Sequence, residues 1–386
     1  MSRTKAHQTV GRVAVVNLTS GGLSGGYVKY LSELVPLLLK DDRITELTSI
    51  GPPGVTNLDW AWPANDGLRG WRQLRAWLTD WRPDVVFIPT SRTFPWSLCP
   101  VVTMVRNMEP LVIPFSAPTW SERLRNLARR HAARTSARQA DRVIAVSEFV
   151  RHFVTDKWCI PDQRVGVVNH GVNGIRPSEM RQPAATHGSE RHSIFSCGSI
   201  RPARGIEDIV EALAVLRQEG REVTLWFGGS PSPGAEPYLE RLQSRARAAG
   251  ILDQIRWLDH LSPAEMQWCF TNASAFVMTS RVEACPNIVL EAMACGARSL
   301  STDSAPMPEF FQDAATYYPA GNGHLLAREL QHVFEDESHE ARAHLCMRGV
   351  ARSRLYSWER ASGRTVDELL IAVKHYHQPP AFDAKL

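Results

Sequence analysis

The residues that most constrain the chemistry of this chain are Glu283 and Glu291, two carboxylates with seven residues between them. They lie in Thr279–Gly296, TSRVEACPNIVLEAMACG, where the apolar run AFVM comes before and an apolar helical stretch follows. Asn287 is placed to cap that helix, which leaves the amides of Ile288, Val289 and Leu290 at its open end. Unpaired N–H groups and the positive end of the helix dipole favour a diphosphate at such a position. One turn further in, Glu291 is placed to reach a ribose diol beyond the phosphates. Glu283, on the preceding loop, is placed to accept hydrogen bonds from sugar hydroxyls. One carboxylate at each end of a diphosphate suits a nucleotide sugar.

Glu283-x7-Glu291 with EAMACG following resembles the E-x7-E signature of the retaining GT-B-fold glycosyltransferases of family 4, the glycosyl transferases group 1. Where those proteins carry E-G-F-G, this chain has Glu283-Ala284-Cys285-Pro286, and Pro286 removes one amide from the loop. A second segment, FSCGSIRPARG from Phe195 to Gly205, resembles the family's G-R-L-x-x-x-K-G loop. Aligned on Gly198, Arg204 takes the place of the lysine and Ser199 that of the first arginine. Arg201, two residues on, supplies a charge that Ser199 lacks. A departing diphosphate gains negative charge, so guanidinium groups held beside it stabilise the transition state more than the ground state. The resemblance therefore implies Glu283 and Arg204 as catalytic groups. It implies Glu291, Arg201, Ser199, Gly198, Asn287, Ile288 and Val289 as donor-binding ones. Gly228, in Trp226-Phe227-Gly228-Gly229, stands at the family's I-V-G strand end. Leu258, in IRWLDHL, stands at the F-x-G-x-V position where the nucleobase packs.

In the N-terminal half, Gly25-Gly26 before Tyr27 resembles the family's G-G loop, where glycine lets the backbone approach sugar or diphosphate. VGVVNHGVNG (165–174) resembles its I-x-N-G-V-D segment and sets His170 near the cleft of a GT-B fold. Family members often have a histidine close to the scissile bond. Here the equivalent stretch reads Val105-Arg106-Asn107-Met108-Glu109-Pro110. Asn107 can hydrogen-bond a sugar hydroxyl but cannot act as a base, whereas Glu109 has the chemistry for one. The implied reaction retains anomeric configuration, with the acceptor attacking on the leaving-group face and the diphosphate helping to take its proton. It calls for neither metal nor cofactor; a UDP- or GDP-sugar is the expected co-substrate and a glycan, glycolipid or small molecule the acceptor. A non-catalytic nucleotide-sugar-binding protein and an epimerase of the same fold remain alternatives. A dehydrogenase would need G-x-G-x-x-G after the first strand, and Gly21-Gly22-Leu23-Ser24-Gly25-Gly26 does not supply it.

These residues must be positioned by alternating strands and helices. Val10–Asn17 reads as a buried parallel strand, followed by glycines and a helix over Tyr27–Leu39. Further strands are expected at Asp84–Pro89, Leu111–Phe115 and Arg142–Val146, with a helix over Arg69–Asp80. RPSEMRQPAATHGSERH (176–192) is polar and aperiodic and reads as a linker. After it, strands at Ser193–Ser196, Val223–Phe227, Ile255–Leu258 and Ala275–Thr279 alternate with helices. The expected fold class is α/β, two Rossmann-like domains facing a cleft. An acceptor domain spans 1–175 and a donor domain 193–360. A final helix and tail, 361–386, crosses back to the N-terminal domain.

Composition limits the rest. A net charge of +4 is too small to imply nucleic-acid binding. It is concentrated in WSERLRNLARRHAARTSARQADR (120–142), a basic amphipathic helix expected either to lie solvated on a sheet or to meet anionic membrane. Seven scattered cysteines without a C-x-x-C pair fit free thiols rather than a disulfide framework or zinc site. No apolar run is long enough to span a bilayer, and the first twelve residues lack the apolar core of a signal peptide. A cytoplasmic protein is expected, with peripheral contact at an anionic membrane through 121–142 as the alternative reading of that helix.

Overall fold

The computed structural model describes residues 9–18, 25–51, 68–94, 96, 98–113, 120–186, 192–335 and 339–377. By its internal contacts the chain divides into two units. One gathers Met1–Arg106, Arg129–Gly171 and Trp358–Leu386; the other gathers Asn107–Ala128 and Val172–Ser357.

The first unit is built on β1 (Gly11–Val16), α1 (Gly25–Leu38), β2 (Ile44–Ile50), α2 (Leu68–Trp81), β3 (Val85–Ile88) and β4 (Val101–Val105). The chain then passes through α3 (Glu109–Val112), which groups with the second unit, and α4 (Trp120–Gln139), which is shared between the two, to β5 (Arg142–Ala145), α5 (Glu148–His152) and β6 (Val165–Val167). The strands form one parallel sheet in the order β2-β1-β3-β4-β5-β6. Strands β3, β4 and β5 are buried along their whole length, which is why they are apolar except at Thr103 and Arg142.

One expectation needs correction here. The run Leu111–Phe115 is not a strand: Leu111 and Val112 belong to the short helix α3, which Pro110 opens with its fixed φ and missing N–H. The strand lies ten residues earlier, at Val101–Val105. Gly21 to Ser24 of the glycine run, Phe115 and the tail beyond residue 377 lie outside the described residues.

The second unit follows with β7 (Ser193–Cys197), α6 (Glu207–Gln218), β8 (Thr224–Gly228), α7 (Glu236–Ala248), β9 (Ile255–Trp257) and α8 (Pro263–Asn272). It continues with β10 (Ala275–Met278), α9 (Asn287–Ala294), β11 (Ser299–Thr302), α10 (Met307–Phe311), β12 (Thr316–Tyr318), α11 (Gly323–Glu335) and α12 (His339–Ser353). Its parallel sheet runs β12-β11-β10-β7-β8-β9. Ile194, Leu225, Phe227, Val277 and Leu300 form its inner layer with Ile209, Leu213 and Leu330 of the helices. The strand order reverses between β7 and β10, which lie side by side with Phe195 opposite Phe276. In open α/β sheets, ligands bind outside the carboxyl ends of the strands at that reversal.

The last helix, α13 (Trp358–His377), packs in the first unit, on α1 and on strands β3, β4 and β5. It buries Trp358, Val366, Leu369 and Ala372. Glu368 pairs with Arg142 of β5, both side chains nearly buried. A Cβ added at Gly166 on β6 would lie 2.1 Å from the Glu368 carboxylate, so a side chain there would displace that ion pair.

Candidate functional site

The loops leaving β7 and β10 carry the residues that the sequence singled out. After Cys197 the chain turns at Gly198, whose φ of +127° favours glycine and whose added Cβ would stand 3.0 Å from the Arg204 guanidinium. Its amide donates to the Gly228 carbonyl at the end of β8 (2.8 Å). Gly229 crosses so close that a Cβ there would lie 2.1 Å from the Gly198 carbonyl oxygen. A tight 3-10 turn, Pro202–Arg204, ends at Gly205 with φ +62°. This turn aims Arg204 back across the end of β10.

Arg204 Nη1 donates to Ser280 Oγ (3.0 Å) and to Glu283 Oε1 (2.5 Å). The Arg204 and Glu283 side chains are 14% and 16% exposed, so the pair is largely withdrawn from water and keeps most of its mutual attraction. Thr279 Oγ1 donates to the Arg204 carbonyl (2.6 Å), and the Arg281 amide donates to the Ala203 carbonyl (2.8 Å). Arg204 Nε is buried without a hydrogen-bond partner. The two loops are thus held together, with a guanidinium between them.

Arg201, at the N-terminal end of the 3-10 turn in the same loop, bonds Glu109 of α3 through Nη1–Oε2 at 2.9 Å. Burial is the main influence on Glu109 and pushes its carboxyl above the usual range. Arg201 and Arg204 oppose that rise, and the charges of Glu283 and Glu122 add to it. Arg201, Arg204, Glu109 and Glu283 therefore form one electrostatic cluster. Asn107 is exposed, and its Oδ1 accepts from the Glu109 amide (3.3 Å). Its place is at the entry of α3, where it braces the residue that faces the arginines.

On the β10 side, the capping expectation for Asn287 is corrected. Pro286 is the N-cap (φ −77°, ψ 97°), and Asn287 is already helical. The proline ring fixes φ near the value that an extended cap adopts, so the helix starts one residue later than a side-chain cap would give. The amides of Val289 (3.0 Å) and Leu290 (3.3 Å) donate to the Pro286 carbonyl. Of the three amides expected to face a ligand, only that of Ile288 lies ahead of the helix's own bonds. Val289 is itself buried. Glu291, half-buried on α9, stands near the end of β7, where its charge adds to the burial that raises the Cys197 thiol. Ser199 is exposed, and Leu258 is buried where its amide meets the Phe227 carbonyl (2.8 Å).

Sequence reasoning missed what braces the site. Asp208, 1% exposed at the start of α6, takes both Arg281 Nη groups at 2.7 and 2.6 Å. It also accepts from the Tyr318 hydroxyl (3.2 Å) and the Gly321 amide (3.0 Å). Burial alone would lower the Arg281 pKa, but the bonds and charge of Asp208 leave it raised. Arg281 thus anchors the loop that carries Glu283. Seventy-three residues separate the partners, and no local pattern reveals them.

In the first unit, Gly25 and Gly26 form the first residues of α1. The Gly26 carbonyl accepts from Arg106 (3.2 Å), whose guanidinium lies 4.3 Å above the Tyr27 ring. His170 does not line an open surface. It is 3% exposed, with its ring 4.9 Å from that of Tyr30 and stacked 6.2 Å from that of Trp358. The His170 ring is part of the aromatic packing beneath α13. Among the described residues, no three His, Cys, Asp or Glu side chains converge as a metal-ligand set.

With this geometry in view, two family models match in succession: Glycosyltransferase Family 4 over residues 36–174 and Glycosyl transferases group 1 over residues 179–347. Glycosyltransferase domains thus account for residues 36–174 and 179–347. Among curated proteins it is similar to the Escherichia coli O-antigen chain mannosyltransferase B, 23% identical over 170 residues, 44% of this chain and 43% of that protein. It is also similar to the D-inositol 3-phosphate glycosyltransferase of Salinispora tropica, 26% identical over 250 residues, 60% of this chain and 50% of that one. The aligned regions thus span half or less of these relatives' own lengths. Anabaena HepE in complex with UDP-glucose superposes with a TM-score of 0.70, 15% identity, and 93% and 99% of the two chains covered. That likeness establishes the GT-B fold for the glycosyltransferase domains.

Proposed function

We propose that the chain moves a hexosyl group from a nucleotide-diphosphate sugar to a glycan, glycolipid or small-molecule acceptor. In this reading anomeric configuration is retained and no metal takes part. The observation that carries the proposal is the Arg204 guanidinium held between Glu283 and Ser280 at the carboxyl ends of the two strands where the sheet order reverses. Arg204 and Arg201 meet the diphosphate, Glu283 holds sugar hydroxyls, and Glu291 holds the ribose. As the glycosidic bond breaks, its electron pair passes to the diphosphate, whose growing charge the arginines stabilise. The acceptor hydroxyl attacks on the same face and gives its proton to the departing phosphate oxygen. The UDP-glucose bound by the HepE relative supports a nucleotide sugar, with UDP or GDP as the nucleotide.

A membrane-peripheral acceptor is supported by α4. Its buried side carries Asn126, Ala133, Ser136 and Ala137, while Trp120, Leu124 and Leu127 are 70%, 60% and 37% exposed. Spaced i, i+4 and i+7, these three form an apolar stripe on the outward face, flanked by Arg123, Arg130 and Arg134. That pattern fits the headgroup boundary of an anionic leaflet on the cytoplasmic side. No helix of the described residues is long and apolar enough to cross a membrane.

The test is a thermal-shift panel of UDP-, GDP- and ADP-sugars against wild type and Glu291→Ala. One nucleotide class is expected to stabilise the wild-type protein, and the variant is expected to lose most of that shift. Equal stabilisation of both proteins would overturn the ribose assignment. Binding without transfer to any acceptor pool would favour a non-catalytic binding protein.

A further inference from the structure

We infer that Glu109 is a positioning residue of the donor site that holds Arg201 until a nucleotide diphosphate displaces it, so that donor binding takes up a proton. The inference rests on the donor reading above. Its basis is the 2.9 Å pair between Glu109 and Arg201, made by a carboxylate whose side chain is only 16% exposed. The guanidinium assigned to the diphosphate is therefore already committed to an internal anion. No rearrangement of charge signs is needed for exchange, because phosphate oxygens and a carboxylate offer Arg the same kind of acceptor.

The groups facing Glu109 come from three elements. Arg201 and Arg204 lie on the loop after β7, Glu283 on the loop after β10, and Glu122 on α4. Only the two arginines favour the charged form, while burial and both glutamates oppose it. When a diphosphate draws the arginines' charge to itself, Glu109 keeps the desolvation and the like charges and loses its compensation. A phosphate anion also comes to stand where a cation stood. The carboxyl, already raised in the donor-free protein, rises further. Its sign is then fixed by linkage. The bound form carries more protons than the free form, so affinity falls as pH climbs from the free-state pKa to the bound-state one. Once neutral, the carboxyl becomes a hydrogen-bond donor toward the phosphate or sugar oxygens that replaced Arg201.

The experiment is calorimetric titration of UDP, with GDP and ADP in parallel, in pairs of buffers that differ in ionisation enthalpy. It is run from pH 4.5 to 8, upward from the ordinary carboxyl range, on wild type, Glu109→Gln and Arg201→Gln. The nucleotide's own phosphate titrates in this range, so the wild-type minus Glu109→Gln difference is the readout. Wild type is expected to take up a fraction of a proton that Glu109→Gln does not. Glu109→Gln should bind the nucleotide more tightly than wild type, with a ratio that grows with pH by at most about tenfold per unit. Arg201→Gln should bind several-fold more weakly and also lose the uptake, which distinguishes coupling from a folding defect. Equal proton uptake in wild type and Glu109→Gln would overturn the inference while leaving the donor site intact. Absence of nucleotide binding in all three proteins would instead overturn the donor reading on which it rests.

Discussion

At the scale of single residues, the buried pair between Asp208 and Arg281 decides whether the Glu283 loop has one conformation. Asp208 receives four hydrogen bonds, two from Arg281, one from Tyr318 and one from the Gly321 amide. Removing its charge takes from Arg281 the anion that meets both its Nη groups and leaves it Glu207 at 3.5 Å, a loss of about 3 kcal/mol for such a partly dry pair. Asp208→Asn is therefore expected to lower the unfolding free energy by about 3 kcal/mol, read as a shift of the urea midpoint. A loss below about 1 kcal/mol would mean that the loop relaxes without it. Glu283 was singled out by its spacing from Glu291, and Arg204 by the family resemblance of its loop. Their contact was not, because the residues are 79 apart and meet only when β7 and β10 pair. Asn287 misled for a local reason: it has the side chain of a cap, but the fixed φ of Pro286 sets the start of the helix first.

Single elements show where periodicity carries information and where it does not. The strands and helices from Ser193 to Ala294 were legible because each apolar run is bounded by glycine, proline or a polar turn. Leu111–Phe115 was not, since a short apolar run fits a helical turn as well as a strand. Helix α4 is the instructive case. Its sequence shows an amphipathic pattern but not which face the protein covers. The helix buries a face of Ala, Ser and Asn and leaves Trp120, Leu124 and Leu127 exposed. Wild-type protein is expected to sediment with vesicles containing anionic lipid and less with neutral ones, weakening with salt as the arginines are screened. Trp120→Ser with Leu124→Ser should reduce the bound fraction severalfold without changing UDP binding in solution. If the doubly substituted protein binds vesicles as well as wild type, the stripe has no membrane role.

For the molecule as a whole, the last helix ties the chain's end to its beginning. Trp358 opens α13 2% exposed, with its ring near those of Tyr30 and His170, and its backbone leaves no room for a side chain at Gly171. Arg43 of the N-terminal segment reaches Asp367 (2.7 Å), and Arg142 pairs with Glu368. Residues that close the first unit's core are therefore synthesised after the whole second unit, which the family resemblance implied and periodicity alone does not reveal. In the proposed reading the donor groups Arg201, Arg204, Glu283 and Glu291 all belong to the second unit. Trp358→Ala should cost the first unit about 3–5 kcal/mol through the cavity it leaves. In calorimetry, its transition should move well below that of the second unit. Nucleotide at a hundredfold excess over Kd adds about 2.7 kcal/mol to whatever folded unit binds it. Added nucleotide should therefore raise the upper transition and leave the lower one unmoved. If both transitions rise together in the variant, the first unit contributes to nucleotide binding, and the donor site is not confined to the second.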